Sequence, residues 1–231
     1  MSSGELNQRE QYWQNFEAGT TPTSAQLHPE YLASLNSDDM ILDIGACSGR
    51  LSREIVASTG GKVVGIDINV SELVLGASRS DGATGFVAAS AESLPFENDI
   101  FDGGILVGVL AAVNRQRRKQ FLVEAFRVLK PGSSIFVSEF ERVEDDEEWT
   151  ERYQHDADIT GEYGNVIVPD YTDPNLPISF IGHHFEQQEL DKLLHAAGFI
   201  GTVFRRLPLD TRDESGFGYL YSNICSWATK P

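Results

Sequence analysis

The sequence predicts one α/β domain built on a doubly wound, mainly parallel β-sheet, with an insertion. Extended and helical patterns alternate between residues 40 and 140, and successive extended runs are far enough apart to leave room for a crossover helix. The first extended run, residues 40–44, is nearly continuously apolar, which is typical of a strand buried on both faces. A chain of 231 residues is long enough for one domain with a substantial core.

Two amphipathic helices are predicted before the sheet, over residues 5–18 and 24–35. Five strands follow, at residues 40–44, 62–66, 85–88, 101–107 and 134–140. Helices are expected between them, beginning near residue 50 and covering residues 71–80 and 115–129. The segment 130–132, Lys-Pro-Gly, should end the last of these helices. Ligands bind beyond the carboxyl ends of the strands in such sheets, so function is expected just after the first four strands.

The alternation breaks after residue 140. Residues 141–185 are acidic, aromatic and rich in turn signals, including Pro169, Pro174 and Pro177, and an unstructured loop of this length is unusual inside a compact domain. We interpret this stretch as an insertion with a helix near residues 147–155 and extended structure near residues 178–185. A helix over residues 187–197, capped by Gly198, and an antiparallel pair at residues 199–206 and 218–228 are then expected.

The composition argues against several classes of function. Lys and Arg number 18 against 35 Asp and Glu, giving a net charge of −17, whereas nucleic-acid-binding surfaces are basic. Solubility is the simplest role of this charge. The apolar runs are too short to span a membrane and the first 14 residues do not resemble a signal peptide, which predicts a cytoplasmic protein. Cys47 and Cys225 form no metal-ligand pattern and no disulfide framework, so no metal is predicted.

A glycine-containing turn follows the first strand and opens a helix, in the run Asp43-Ile-Gly-Ala-Cys-Ser-Gly49. Gly45 and Gly49 allow a sharp turn and a close approach of ligand to backbone. The free N–H groups at the start of the helix favour a carboxylate. Dinucleotide-binding turns have glycine at relative positions one, three and six, but Cys47 and Arg50 occupy the last two here. A purely structural turn is the alternative.

Asp67 ends the second strand, 22 residues beyond Gly45, where an acidic side chain can accept hydrogen bonds from both ribose hydroxyls. The alternative is a helix cap, provided by Asp67 or Ser71. The segment from Ser90 to Phe96 connects the third and fourth strands and offers polar groups beside apolar walls, as an adenine ring requires.

In this order and spacing, the motifs resemble those of the class I S-adenosylmethionine-dependent methyltransferases, in the small-molecule branch of type 11 and type 25 methyltransferase domains. The resemblance covers about residues 12–140 and resumes over residues 184–199. Its motifs are Ile41–Gly49, Val64–Asp67, Ala91–Phe96, Phe101–Asp102 and Arg127–Gly132. It implies a Rossmann-like sheet of seven strands with an antiparallel last strand, and S-adenosylmethionine as the cofactor. It also divides the chain into lid helices (1–36), a cofactor-binding core (37–140), a substrate or lid insertion (141–185) and a C-terminal helix with a strand pair (186–231).

By position, the resemblance implies contacts to every part of the cofactor. The residues near the methionine and ribose would be Asp43, Gly45, Ala46, Cys47, Gly49, Asp67, Val107 and Gly108. Those near the adenine would be Ile68, Ser90, Ala91 and Glu92. Tyr12 and Trp13 resemble the aromatic pair of a lid helix, with core packing as the alternative.

The sequence departs from the family pattern at three places. Cys47 replaces the middle glycine of the turn, which the family tolerates. Ser90 replaces a frequent Asp, so either its hydroxyl or Glu92 would have to meet the adenine amino group. Residues 110–113, Leu-Ala-Ala-Val, lack the histidine that often follows the fourth strand, which removes a base from that segment.

Methyl transfer is an in-line displacement, and a protein base is needed only when the nucleophile must lose a proton. The insertion should roof the cavity and supply that base, with His183, His184 and Tyr163 as the main candidates. Further candidates in the insertion are Tyr153, His155, Asp156 and Glu162. A capping or packing role is the alternative for His184. The acidic run 144–148 would attract an amine or simply form a solvated helix start.

The sequence therefore predicts methyl transfer to a small molecule at an oxygen, nitrogen or carbon nucleophile. A catalytically silent subunit that binds S-adenosylmethionine and acts through a protein partner is the alternative, because Asp is missing at position 90. A nicotinamide-dependent dehydrogenase would need the glycine spacing that this turn lacks.

Overall fold

The computed structural model describes residues 12–19, 25–80, 82–168, 180–210 and 220–231. Within the N-terminal segment, residues 12–15 are helical. The rest of the first predicted helix, apart from residues 16–18, lies outside the described residues, as do Pro169, Pro174 and Pro177 of the insertion. No helix among the described residues is both long and apolar enough to cross a membrane.

The centre of the fold is a seven-stranded sheet in the order β3-β2-β1-β4-β5-β9-β8. Its strands are β1 (Met40–Ile44), β2 (Lys62–Asp67), β3 (Thr84–Ala88), β4 (Phe101–Val107), β5 (Leu129–Phe140), β8 (Ile200–Asp210) and β9 (Leu220–Thr229). The first five strands pair in parallel, whereas β9 runs antiparallel to both β5 and β8. This arrangement confirms the predicted fold class, including the antiparallel final strand.

Helices cover both faces of the sheet and bury two separate apolar clusters. The helices are α1 (Pro29–Leu32), α2 (Arg50–Thr59), α3 (Val70–Ser78), α4 (Arg115–Val128), α5 (Glu147–Thr160) and α6 (Gln187–Ala197), with a 3-10 turn at Leu110–Ala112. The larger cluster packs α4 and α6 against the sheet through Leu122 and Leu190. The smaller cluster packs α1 and α2 against it through Tyr31 and Ile55.

Several predicted boundaries are wrong, and three of them affect the architecture. The helix expected at residues 24–35 is the single turn α1, which starts after the cap His28 and has Pro29 as its first residue. β5 begins at Leu129, immediately after α4, because Leu129 pairs with Phe101 before a register shift in the ladder. The insertion helix continues past residue 155 to Thr160, where Gly161 caps it with a φ of 76°.

The insertion contains a second, two-stranded antiparallel sheet. β6 (Asn165–Val168) pairs with β7 (Phe180–His183), so that Asn165 lies opposite His183. The extended structure predicted near residues 178–185 corresponds to β7, whereas β6 was not predicted. A separate, isolated bridge between Glu141 and Phe185 brings both ends of the insertion together beside the end of β5.

Candidate cofactor and active site

The turn between β1 and α2 has a left-handed backbone at three positions, with φ of 77° at Gly45, 47° at Cys47 and 75° at Gly49. A Cβ atom added to Gly45 would come closer than 3.0 Å to Val109, and one added to Gly49 would lie 2.6 Å from the ring of Phe86. Both the backbone and the available space therefore require glycine at these two positions. At Cys47 the turn keeps the same conformation with a side chain present.

Asp67, at the end of β2, is held by the backbone on both sides of its carboxylate. The N–H groups of Cys47 and Asn69 each donate to it at 2.8 Å. Burial raises the pKa of Asp67 above its ordinary value. The cap of α3 is Asn69, which accepts from the N–H of Glu72 at 3.2 Å. The helix-cap alternative for Asp67 and Ser71 is therefore wrong.

Asp43 lies in β1, two residues before the turn, and is 3% exposed. The hydroxyl of Ser52 in α2 donates to its carboxyl group at 2.6 Å. Burial raises the pKa of Asp43 to about 6. This carboxyl group therefore ties the strand to the helix that follows the turn, which fixes the geometry of the turn between them.

A cavity of about 750 Å³ opens at the carboxyl ends of the central strands. Nine predicted cofactor-binding residues line it: Asp43, Gly45, Ala46, Cys47, Asp67, Ile68, Ser90, Ala91 and Val107. Trp13 and Gly108 also line it. The turn between β1 and α2 offers backbone N–H donors at a helix start, which suit the amino acid end of S-adenosylmethionine. The carboxylate of Asp67, one strand away, offers the acceptors that the ribose end needs.

Three predicted cofactor-binding residues do not line this cavity. Gly49 is the last residue of the turn and caps α2. Tyr12 stacks on Phe180, with ring centroids 5.5 Å apart, as part of an aromatic cluster that also includes Trp13. The side chain of Glu92 pairs with Arg117. Sequence position alone placed Tyr12 and Glu92 near the cofactor, whereas their side chains pack against Phe180 and Arg117.

His183 is buried in a polar network next to the cavity and does not line it. Its Nδ1 lies 2.9 Å from Oδ1 of Asn165, and its Nε2 lies 3.1 Å from Glu189. Burial lowers the pKa of His183 below its ordinary value. Glu189 also approaches the buried guanidinium of Arg118 at 3.4 Å. This network connects the insertion to α4 and α6.

The other two catalytic candidates also lie outside the cavity lining. His184 is 7% exposed, and its Nδ1 lies 2.8 Å from the hydroxyl oxygen of Tyr153. Its ring stacks on Phe140 at 5.4 Å, and burial lowers its pKa to about 3. Tyr163 is 40% exposed, beneath the guanidinium of Arg142. These positions favour the packing alternative for His184.

The remaining candidates in the insertion also make contacts away from the cavity. Asp156 accepts from the N–H of Ile167 at 2.9 Å and faces His155 at the same distance. Glu162 pairs with Arg118 at 2.6 Å. In the acidic run, Asp146 caps α5 by accepting from the N–H of Trp149 at 3.0 Å. This cap confirms a helix start in that run.

Glu139 and Asn223 are two of the buried residues that line the cavity and were not predicted. Glu139, near the end of β5, accepts from the N–H groups of Leu110 at 2.8 Å and Ala111 at 3.1 Å. Burial raises the pKa of Glu139 to about 8. A carboxylate at the end of a predicted parallel strand is a signal that could have identified it. Asn223, from β9, carries no such signal, because its proximity depends on β9 pairing with β5.

Comparisons with known proteins agree with this geometry. A family model described as "Methyltransferase domain" matches residues 42–137. A "Ubiquinone/menaquinone biosynthesis C-methyltransferase" of Stutzerimonas stutzeri (strain A1501) is 30% identical over 176 residues, which span 73% of this chain and 68% of that protein. The corresponding Marinomonas sp. (strain MWYL1) protein is 28% identical, over 76% of this chain and 72% of that protein.

The solved structures show the same relationship. A crystal structure described as an S-adenosylmethionine-dependent methyltransferase of Methanosarcina mazei matches with a TM-score of 0.78 and 34% identity, over 89% of this chain and 99% of that chain. A Haemonchus contortus phosphoethanolamine N-methyltransferase, in complex with S-adenosylmethionine, matches at 13% identity and a TM-score of 0.62, over 87% of this chain and 51% of that chain, and shows the shared fold. The chain therefore belongs to the class I S-adenosylmethionine-dependent methyltransferases and is an enzyme that uses this cofactor.

Proposed function

We propose that the enzyme transfers the methyl group of S-adenosylmethionine to a small-molecule acceptor in the same cavity. The observation that carries this proposal is that one cavity of about 750 Å³ joins the turn after β1 and Asp67 to an aromatic wall containing Trp13, Phe140 and Phe180. S-adenosylmethionine supplies a methyl carbon that is activated by a sulfonium. The protein then has to align and dehydrate the two partners.

Asp67 is the residue that we assign to the ribose. Its carboxylate is held by two backbone N–H groups, so its remaining lone pairs are directed without rearrangement. Ile68 and Ala91 would contact the adenine ring. Ser90 accepts from the N–H of Glu92 at 3.3 Å and lines the cavity, so its hydroxyl would meet the adenine edge where the family often has a carboxylate.

The turn at Gly45 and the start of α2 would hold the methionine end, with Val107 and Gly108 forming the opposite side. The helix start favours the carboxylate of the methionine because its first N–H groups lack helical partners. Asp43 supports this turn through Ser52 and so acts as a positioning residue.

The acceptor would bind under a roof made by the N-terminal segment and the insertion, since Phe16, Phe180 and Gly182 also line the cavity. The names of the relatives support a small-molecule acceptor and make carbon one candidate for the methylated atom. We assign no proton transfer to His183, His184 or Tyr163, because none of them lines the cavity. Within the described residues, no observation favours a silent subunit over an enzyme.

The test combines cofactor binding with turnover. Calorimetry should show that Asp67→Ala weakens S-adenosylmethionine binding more than tenfold, because a hydrogen bond to a charged group contributes about 1.5–3 kcal/mol. Asp38→Ala, at an exposed aspartate, is the matched control and should leave affinity unchanged. Release of S-adenosylhomocysteine should then be followed with a panel of phenols, amines and activated carbon acids.

Two results would count against the proposal. Equal affinity of wild type and Asp67→Ala for S-adenosylmethionine would show that Asp67 does not bind the ribose. Tight binding of S-adenosylmethionine without turnover on any acceptor class would favour the silent subunit.

A further inference from the structure

Asn223 carries a buried polar atom that no described residue satisfies. The residue is 4% exposed and lines the cavity. Its Nδ2 donates to the hydroxyl oxygen of Ser138 at 3.3 Å, whereas its Oδ1 is buried and accepts no hydrogen bond from the described part of the chain. An unsatisfied buried carbonyl costs about 1–3 kcal/mol, so such an atom in a native cavity calls for a partner.

The position of Asn223 separates it from the cofactor. It lies opposite Phe140 in the antiparallel ladder, and Ser138 and Phe140 share one face of β5. The residues assigned to the cofactor lie at or just beyond the ends of β1, β2, β3 and β4. Because β9 is two strands from β4 in the sheet, Asn223 is roughly 10 Å from the β4 end at a spacing of about 4.8 Å per strand. That is about the length of a substituted aromatic ring.

We propose that Asn223 determines acceptor specificity by accepting a hydrogen bond from a hydroxyl or N–H group of the methyl acceptor. This inference rests on the proposed function. The donor would sit at the end of the acceptor farthest from the transferred methyl group, with Phe140 and Phe180 packing against an apolar ring between the two ends. The hydrogen bond to Ser138 fixes the side-chain amide, so Oδ1 is oriented before the acceptor arrives.

The test uses phenol and toluene as probes, because they share a ring and differ in the donor. Their affinities are measured by ligand-observed NMR, at millimolar concentration, on protein saturated with S-adenosylhomocysteine. Asn223→Leu removes the acceptor atom and keeps much of the side-chain volume. It should weaken phenol binding about tenfold and leave toluene binding unchanged or tighter.

Ser226→Ala is the matched control. Ser226 is in the same strand, is fully buried, and has a hydroxyl without a partner in the described chain, but it does not line the cavity. Its replacement should change the affinity of neither probe. Calorimetry with S-adenosylhomocysteine should give the wild-type affinity for both variants, which also shows that they are folded.

The outcomes separate this inference from the proposed function. If wild type fails to bind S-adenosylhomocysteine, the proposed function itself is wrong. S-adenosylhomocysteine should bind wild type and both variants equally. In that case, the assignment of Asn223 is overturned by an unchanged phenol affinity in Asn223→Leu, or by equal losses of affinity for phenol and toluene. It is also overturned if neither probe binds the wild-type complex.

Discussion

Gly45→Ala tests whether the turn after β1 needs glycine for its backbone and for the space beside Val109. Alanine in a left-handed backbone costs about 1–2 kcal/mol, partly offset by about 0.4–1 kcal/mol through the stiffer unfolded chain. The added Cβ would also come closer than 3.0 Å to Val109, a stiff β-branched side chain. Overpacking of this kind costs about 1–3 kcal/mol, so we expect a total loss of about 2–4 kcal/mol.

Gly161→Ala is the matched control, because Gly161 has a φ of 76° and, apart from its own chain neighbours, no described atom lies within 4 Å of an added Cβ. Only the backbone cost of about 1 kcal/mol applies there. For a domain of this size, each kcal/mol lowers Tm by about 2–4 °C, so calorimetric melting should fall by about 2–4 °C in the control and by about 4–16 °C in Gly45→Ala.

The two variants should also differ in cofactor binding. Gly45 lines the cavity and Gly161 does not, so only Gly45→Ala should weaken S-adenosylmethionine binding, by at least about tenfold. Equal melting of the two variants would refute the steric argument. Wild-type affinity in Gly45→Ala would refute the close approach of the cofactor to this turn.

Three further substitutions test buried groups. Because burial raises the pKa of Glu139 from 4.5 to about 8, wild-type stability should fall as pH rises between these values, by about 1.4 kcal/mol per pH unit at most, and Glu139→Gln should remove this dependence in denaturant titrations. Parallel pH profiles would contradict the buried, protonated carboxyl group. Burial lowers the pKa of His184 from 6.5 to about 3. Between these values the histidine is protonated in the unfolded chain but not in the folded protein, so stability should fall as pH drops through this range. His184→Gln should reduce this loss of stability at acid pH, and an unchanged loss would show that another group causes it. The hydroxyl of Tyr31 donates to the carbonyl oxygen of Gly104 at 2.8 Å in the core, so Tyr31→Phe should cost about 1–3 kcal/mol, and a wild-type Tm would show that this hydrogen bond adds nothing net.

The parallel half of the fold could be predicted because its signals are local. Each of the first five strands contains a short apolar run, and a helix with a recognisable start or end lies between most of them. The prediction lost accuracy where tertiary contacts decide the outcome. Leu129 belongs to β5, directly after a helix, because it pairs with Phe101 of β4. The residues around Leu129 in the sequence carry no sign of this pairing.

The same distinction explains the site. The turn at Gly45 and the acid at Asp67 follow their strands directly, so the strand ends bring them together. The catalytic candidates came from an insertion whose packing could not be deduced from composition. His183 and His184 face the interior of the insertion, where Asn165 and Tyr153 are their respective partners. Asn223 could not be predicted, because its strand reaches the site only by pairing across more than 80 residues of chain.

The strand order also constrains how the protein can fold. β9 follows β8 in the chain but lies between β8 and β5, so β8 has no neighbour in the main sheet until β9 has inserted. During synthesis, the five parallel strands can pair before this last hairpin docks. Such long-range pairing is slow, because loop closure must precede the contacts that reward it. The newly made chain would then pass through a stage with the edge of β5 uncovered, when chaperones or a second copy could reach it.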